Sequence, residues 1–493
     1  MYSSPETILD TIDTLTLMLC DYPCNVLIVP MTNWMPNIAD RPGPKYLAIA
    51  DSISEAISAG TLSQGTKLPP QRNLAYDLGV TLGTVTRAYR EVERRGLTGG
   101  EVGRGTFVLG SRYSRRDAFM SQQPTSPNVI EMIHAIPIVR LDDSALPDTL
   151  SAMAAEPEIS RMLGYQMNTG MERHLEAGAD WLRRCGLSAT ADTVTLTAGG
   201  QQAILASLMA IAEPGDTILV EELTYPGIIH LARTIGYRLE TVTIDEEGIL
   251  PESFEQACKH SSAKILYCMP TFHNPTLATM PEERRRRVAS IAEANGIIII
   301  EDDIWGVLAN TGIPPITSIA PDQAIYLASL SKSLAGGLRI GYVHASQALT
   351  RKIRSSMKII CWMPPPLMAE IASRWITDGT AERLVKDQRR LTADRVEMVK
   401  AHLKPHGVVG KPAAHHCWLP LSAPWTGDGF RSELESRGVR VLSEATFCAG
   451  RKSVSPAVRL CLGQPADPGM IERAVEIIAD ALSGREQREE IFI

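Results

Sequence analysis

Apolar residues in the first part of the chain recur with helical spacing. From Tyr46 they fall at Ile49/Ala50, Ile53 and Ile57, one helix face, and Gly60 closes the run. After Lys67-Leu68-Pro69-Pro70-Gln71-Arg72 a second short helix is predicted, with Leu74, Ala75 and Leu78 inward. Gly79-Val80-Thr81 makes a tight turn, and a third helix follows from about Gly83 to Arg95. Val85, Ala88, Tyr89 and Val92 share its inner face, which leaves Thr84, Thr86, Arg87 and Arg90 pointing outward. Gly96-Leu97 ends that helix, and two short β segments flank Gly103-Arg104-Gly105-Thr106, a run suited to a hairpin tip. Two helices, a tight turn and a small hairpin predict a winged helix–turn–helix over residues 43–110, whose third helix suits the major groove of double-stranded DNA.

The pattern changes beyond residue 127. Short apolar runs, DTILVEE, YRLETVTI, KILYCMP, GIIIIEDD and AIYLASLS, alternate with amphipathic stretches such as Gln201–Ala212 and Pro281–Asn295. Continuous β-branched runs bounded by turn signals are what strands buried on both faces look like. The fold class expected for residues 128–485 is therefore α/β, a large αβα domain with a mostly parallel sheet. Residues 111–127 are polar, basic at the start and Pro/Ser-containing at the end, and are expected to be a linker. Residues 1–42 form an N-terminal extension, with Met31 or Met35 as alternative starts, and 486–493 a C-terminal tail.

Composition narrows the picture. The chain has 493 residues, too many for one comfortable core, and 44% hydrophobic and 21% charged residues, ordinary for a globular protein. A net charge of −7 argues against a nucleic-acid-coating surface, yet residues 43–110 hold eight Lys/Arg and six Asp/Glu, a local balance of +2. Nine cysteines without CxxC pairs or His-rich spacing suggest reduced thiols, no zinc site and a cytoplasmic location. No signal peptide is expected, because Asp10 and Asp13 precede the apolar Leu15–Leu19 stretch, and no apolar run is long enough for a bilayer.

The chemically loaded residues fall just after the predicted strands. In SLSKSLAGGLRIGY, Lys332 can form a Schiff base with an aldehyde, while Ser329, Ser331 and Arg339 can hold a phosphate. In IIIIEDDIW a predicted buried strand ends with Asp302, where a carboxylate can keep a pyridinium nitrogen protonated. In TAGGQQAI the backbone N–H groups of Gly200 and Gln201 can meet a phosphate at a helix start. Tyr225 can stack on a ring, and Asn274 of HNPT can donate to a phenolate oxygen. Taken singly, each has a plain alternative: a surface lysine, a solvated strand-end acid, a core tyrosine, an Asn-Pro turn. The GRGTFVLG string mimics part of a dinucleotide-binding loop but lacks the strand before and helix after.

Two resemblances follow from these motifs. The stretch KLPPQRNLAYDLGVTLGTVTRAYREVERRGL, with GRGTFV after it, resembles the GntR-type winged helix along nearly its whole length. That implies DNA contacts from Arg72, Thr84, Arg87 and Gly105, with Thr86 and Arg90 beside them. The order stacking aromatic, Asn-Pro, Asp, Lys, Arg resembles fold-type I aminotransferases, so the whole chain resembles the MocR-type regulators. The resemblance implies pyridoxal 5'-phosphate on Lys332, its ring nitrogen on Asp302, its ring under Tyr225 and its ring oxygen on Asn274. Gly200, Gln201, Ser329, Ser331 and Arg339 would hold its phosphate. SPAVRLCLG resembles the strand whose arginine receives a substrate carboxylate, implying Arg459. LGYQMNTG resembles the segment whose tyrosine reaches the neighbouring subunit's phosphate, so Tyr165 implies a homodimer.

Two positions depart from the aminotransferase pattern. Trp305 stands where a tyrosine usually bonds the ring oxygen, and an indole N–H donates but neither accepts nor ionises. Leu277 stands where glycine commonly follows Asn-Pro-Thr. These favour a sensor over an efficient enzyme: a transcriptional regulator responding to pyridoxal phosphate or an amino compound. The alternative is a true aminotransferase acting on an amino acid and a 2-oxo acid. A regulator without cofactor fares worst, since nearly every cofactor-holding group is present.

Overall fold

Period-two alternation sorts the strands of the larger unit between two hydrophobic cores. Ile218 and Val220 enter one core and Leu219 the other; Ile265 and Tyr267 part from Leu266 and Cys268, and Ile300 from Ile299, in the same way. Successive side chains on a strand point to opposite faces, so both faces must be covered. Helices Gly200–Ile211 and Gln347–Cys361 line the first core, and Pro251–His260 and Glu282–Asn295 the second.

The computed structural model describes residues 34–38, 44–58, 61–62, 66–94, 97–101, 105–108, 129–138, 144–166, 170–450, 454–465 and 467–490. The chain divides into two units, residues 1–120 and 121–493. Most of the expected N-terminal extension, the proposed linker at 111–127, Gly103 and Arg104 of the wing and the last three residues lie outside the described residues.

In the first unit, helices Lys45–Ser58, Gln71–Asp77 and Leu82–Arg94 are followed by the antiparallel hairpin Thr98–Glu101/Gly105–Val108. The turn after the second helix uses Gly79 at φ 58°, and Thr81 then caps the third helix by accepting the Thr84 N–H at 3.2 Å. Ile49, Ile53, Leu74, Val85, Ala88 and Val92 form the core. Trp34 and Ile38 pack against it, so the organised part begins earlier than residue 43, where the winged helix was expected to start. Gly105 is the first residue of the second hairpin strand, paired with Glu101, rather than part of the tip.

In the second unit, seven strands lie in the order Val194–Thr197, Gly341–His344, Ala324–Ser329, Ile298–Asp302, Ile265–Cys268, Thr217–Glu221, Arg238–Val242. Only Gly341–His344 runs against the rest. It and Val194–Thr197 were absent from the predicted strands. A three-stranded antiparallel sheet, His416–Pro420, Ala457–Cys461 and Leu442–Ser443, carries its own core with Val396 and Phe430. The last helix, Pro468–Glu490, continues past the expected boundary at 485. Among the described residues, no helix is long and apolar enough to cross a membrane.

Helix Glu172–Arg183 lies so close to the sheet that a Cβ on Gly178 would sit 2.5 Å from the Tyr342 ring. Both groups are buried, so the ring has little room to yield. Gly178→Ala is expected to cost about 1–3 kcal/mol by overpacking. Thermal unfolding followed by circular dichroism should show a melting temperature lowered by a few degrees; an unchanged one would contradict this close approach.

Candidate cofactor and effector site

The carboxyl ends of the parallel strands bring the candidate groups together, where ligands of such sheets bind. Gly199, at φ 85°, precedes helix Gly200–Ile211, whose first N–H groups have no partner within the helix. That left-handed φ strains any residue with a Cβ, and a Cβ on Gly199 would also stand 2.7 Å from a guanidinium nitrogen of Arg339, which would have to move. Arg339 donates to the Ser331 hydroxyl and the Ala198 carbonyl, both at 3.4 Å, and the Ser329 hydroxyl accepts the Ser331 N–H at 3.2 Å. Gly200, Ser329, Ser331 and Arg339 thus converge on one helix N-terminus, an arrangement suited to a phosphate dianion. The Gln201 side chain turns away to the Gly227 carbonyl at 3.4 Å, leaving its backbone N–H for that task.

Asp302 is the last residue of its strand and buried. Its Oδ2 accepts the Tyr267 hydroxyl at 2.6 Å, whereas its buried Oδ1 has no hydrogen-bond partner among the described residues. Burial pushes its carboxyl up to about 6, partly offset by the Tyr267 hydrogen bond. Lys332 donates to the Ala135 carbonyl. Burial, with the positive fields of Arg459 and Arg339, lowers its ammonium to about 8.

Asn274 accepts from Arg459 through its Oδ1 at 2.7 Å, which keeps its amide N–H groups for another acceptor. Arg459 is buried, donates also to the Ile133 carbonyl at 2.7 Å, and lies over the Phe447 ring at 4.7 Å. Tyr225 opens helix Pro226–Ile235, and burial pushes its phenol up to about 12. Trp305 is buried beside His415, ring centres 5.2 Å apart, and its indole N–H has no partner among the described residues. Tyr165, by contrast, is exposed and sits edge-on to Trp362 at 6.1 Å; none of the bonds above involves it.

Pyridoxal phosphate fits this donor set. The orphaned Oδ1 of Asp302 needs a donor, the glycine–serine–arginine cluster needs an anion, and a lysine amine of lowered basicity lies close by. Tyr267, Phe447 and the backbone carbonyls of Ile133 and Ala135 were not among the expected participants. Carbonyls carry no side-chain signature, and Tyr267 sits inside an ordinary strand pattern.

In the DNA-binding unit, Arg72, Arg87 and Arg90 are exposed. Arg87 is held over the Tyr46 ring at 4.0 Å. Thr86 is less free than its outward position implied: it is half-buried and donates to Gln71 Oε1 at 2.8 Å. The Thr84 hydroxyl shares a hydrogen bond with Thr81 at 2.9 Å.

Residues 139–478 match the family of class I and II aminotransferases, and residues 45–108 match the bacterial regulatory proteins of the gntR family. The uncharacterized HTH-type transcriptional regulator YdeF of Bacillus subtilis is 31% identical over 449 residues, 91% of this chain and 96% of that one. The vitamin B6 salvage pathway transcriptional repressor PtsJ of Salmonella typhimurium is 28% identical, covering 76% and 84%. Among solved structures, the multiple substrate aminotransferase of Thermococcus profundus superposes with a TM-score of 0.67 at 22% identity, over 77% of this chain and 96% of that one, which shows the shared fold.

The lowered Lys332 ammonium makes a kinetic prediction. The neutral amine is the form that takes up an aldehyde, so capture of pyridoxal phosphate by apo chain should rise with pH and level off above about 8. Stopped-flow absorbance between pH 6 and 10 tests it; a rate still climbing to pH 10, as for an ordinary lysine, would refute it.

Proposed function

Because the chain belongs to the MocR-type regulators, which join a gntR-family helix–turn–helix to a class I and II aminotransferase domain, we propose that its aminotransferase-like body senses an amino compound and adjusts DNA binding. The chain is a transcriptional regulator that binds DNA and pyridoxal phosphate. The observation that carries the sensor reading is the unpartnered Oδ1 of Asp302 beside a lysine and a phosphate-type cluster. When bound, pyridoxal phosphate supplies an aldehyde for an amine and an electron-withdrawing ring.

Lys332 holds the aldehyde end, and Asp302 holds the proton on the ring nitrogen. Tyr225 covers one ring face, and Asn274 and Trp305 donate to the ring oxygen. The Gly200 and Gln201 N–H groups, Ser329, Ser331 and Arg339 neutralise the phosphate. Arg459 receives the effector's carboxylate, exchanging its present carbonyl partner for a stronger, charge-assisted one. That exchange offers a differential interaction between two states, which a ligand needs in order to shift a conformation. It would act on segment 129–138, the first described stretch after the proposed linker. Tyr165 completes the phosphate site of a second copy, so the working form is a homodimer in the cytoplasm. The name of PtsJ, which ties a relative to vitamin B6, supports the cofactor itself as a second effector.

Residual transamination is compatible with a lysine of lowered basicity. Trp305 counts against it as the main role, since an indole cannot accept or exchange a proton with the ring oxygen.

On the DNA side, Arg72, Thr84, Arg87, Arg90 and Gly105 form the contact surface, with Thr86 supporting it through Gln71. Arg87→Ala is expected to weaken binding to a bound promoter fragment about tenfold or more. If the contact is to phosphate, the slope of log affinity against log salt also falls by about one. Gel-shift titrations at several salt concentrations test this; unchanged affinity and slope would remove Arg87 from the interface.

A further inference from the structure

The site's carboxylate is held by a group that the cofactor-binding pattern did not include. Tyr267 pairs with Ile300 in the parallel ladder, and Asp302 follows Ile300 by two residues, so Tyr267 and Asp302 point to the same sheet face. Register alone therefore delivers the phenol to Asp302 Oδ2 at 2.6 Å, the short distance of a charge-assisted hydrogen bond. Both residues are buried, and Oδ1 of Asp302 has no hydrogen-bond partner among the described residues.

We propose that Tyr267 is a positioning residue for the cofactor: its hydroxyl fixes Oδ2 of Asp302 and leaves Oδ1 as the acceptor for the ring nitrogen of pyridoxal phosphate. The inference rests on the cofactor occupying the site described above. The phenol is the donor, because burial and the neighbouring Asp302 charge push its ionisation well above the ordinary tyrosine range. Its partner is in an unfavourable place for a charge. Glu221, buried at the end of Thr217–Glu221, the strand on the far side of Ile265–Cys268 from Asp302, raises the Asp302 carboxyl electrostatically, and Lys332 opposes it. Tyr225, Cys268 and Asp303 are the other titratable groups whose ionisation feels Asp302. Glu221 is itself tied to the Met269 N–H at 3.1 Å and lies 3.4 Å from His273 Nε2. Two buried carboxylates thus end the strands on either side of Ile265–Cys268, and the Tyr267 hydroxyl is the donor that favours the ionised form of Asp302.

The sign follows directly. A protonated Asp302 cannot accept the charged ring nitrogen's proton, so cofactor affinity is present above the apo Asp302 pKa and lost as pH falls through it. Removing the Tyr267 hydroxyl raises that pKa and moves the loss to higher pH. Neutralising Glu221 removes a repulsion and moves it to lower pH.

The test is the dissociation constant of pyridoxal phosphate for the full chain, read from its protein-bound visible absorbance between pH 5 and 9. Wild type, Tyr267→Phe and Glu221→Gln are compared, with near-ultraviolet circular dichroism to establish folding. The acid-side midpoint is expected to rise by about one pH unit in Tyr267→Phe, the equivalent of one buried hydrogen bond, and to fall in Glu221→Gln. A merely structural tyrosine would weaken binding at every pH without moving the midpoint, and that outcome overturns the proposal. If Tyr267→Phe does not fold, an unmoved midpoint in Glu221→Gln overturns it instead. Failure of the wild-type chain to bind pyridoxal phosphate at any pH would refute the cofactor reading itself, a separate outcome.

Discussion

A carboxylate taken out of water inside a sheet must be given donors or lose its charge, and Asp302 stands in that position. One of its oxygens is satisfied by Tyr267 and the other is not. The rest of the site makes sense around that unfilled oxygen. A ring with a protonated nitrogen supplies the missing donor. On the proposed reading, the helix start at Gly200 with Ser329, Ser331 and Arg339 would hold its phosphate and Lys332 its aldehyde. The parallel sheet is what allows these groups to meet, because it gathers the carboxyl ends of strands from distant parts of the sequence on one edge.

Arg459 adds a second constraint. Its guanidinium stacks on Phe447 and is engaged by Asn274 and by the Ile133 carbonyl, so a carboxylate arriving there competes with a backbone partner. The same short segment contributes the Ala135 carbonyl to Lys332. The two side chains assigned to an amino-compound effector therefore both hold the stretch that opens the body. In the proposed sensor, a ligand competing for Arg459 or Lys332 would change how segment 129–138 is held.

Much of this was legible in the sequence, for physical reasons that differ by element. Ile298–Asp302 and Ala324–Ser329 announce themselves because strands buried on both faces need uninterrupted apolar runs. The first unit was readable because its three helices each bury one face against a small core. Val194–Thr197 alternates threonine with aliphatic residues, and Gly341–His344 contains glycine and histidine, so neither looks like a central strand; neighbours impose that state. Lys332, Asp302 and Arg339 were legible through their order along the chain. Ile133 and Ala135 act through carbonyls that any residue possesses. Tyr267 could be found only from register, and Thr86 lost its freedom to Gln71, fifteen residues away.

The central claim is that one ligand site and one DNA surface share a free energy. The most direct measurement is the affinity of the full chain for a promoter fragment, by fluorescence anisotropy, with and without pyridoxal phosphate and a panel of amino acids. Coupling of this kind typically changes affinity by about 5–150-fold. Such a change is expected in the wild-type chain and none in Lys332→Ala. Equal affinities for the wild-type chain under every condition, with the cofactor spectroscopically bound, would contradict it.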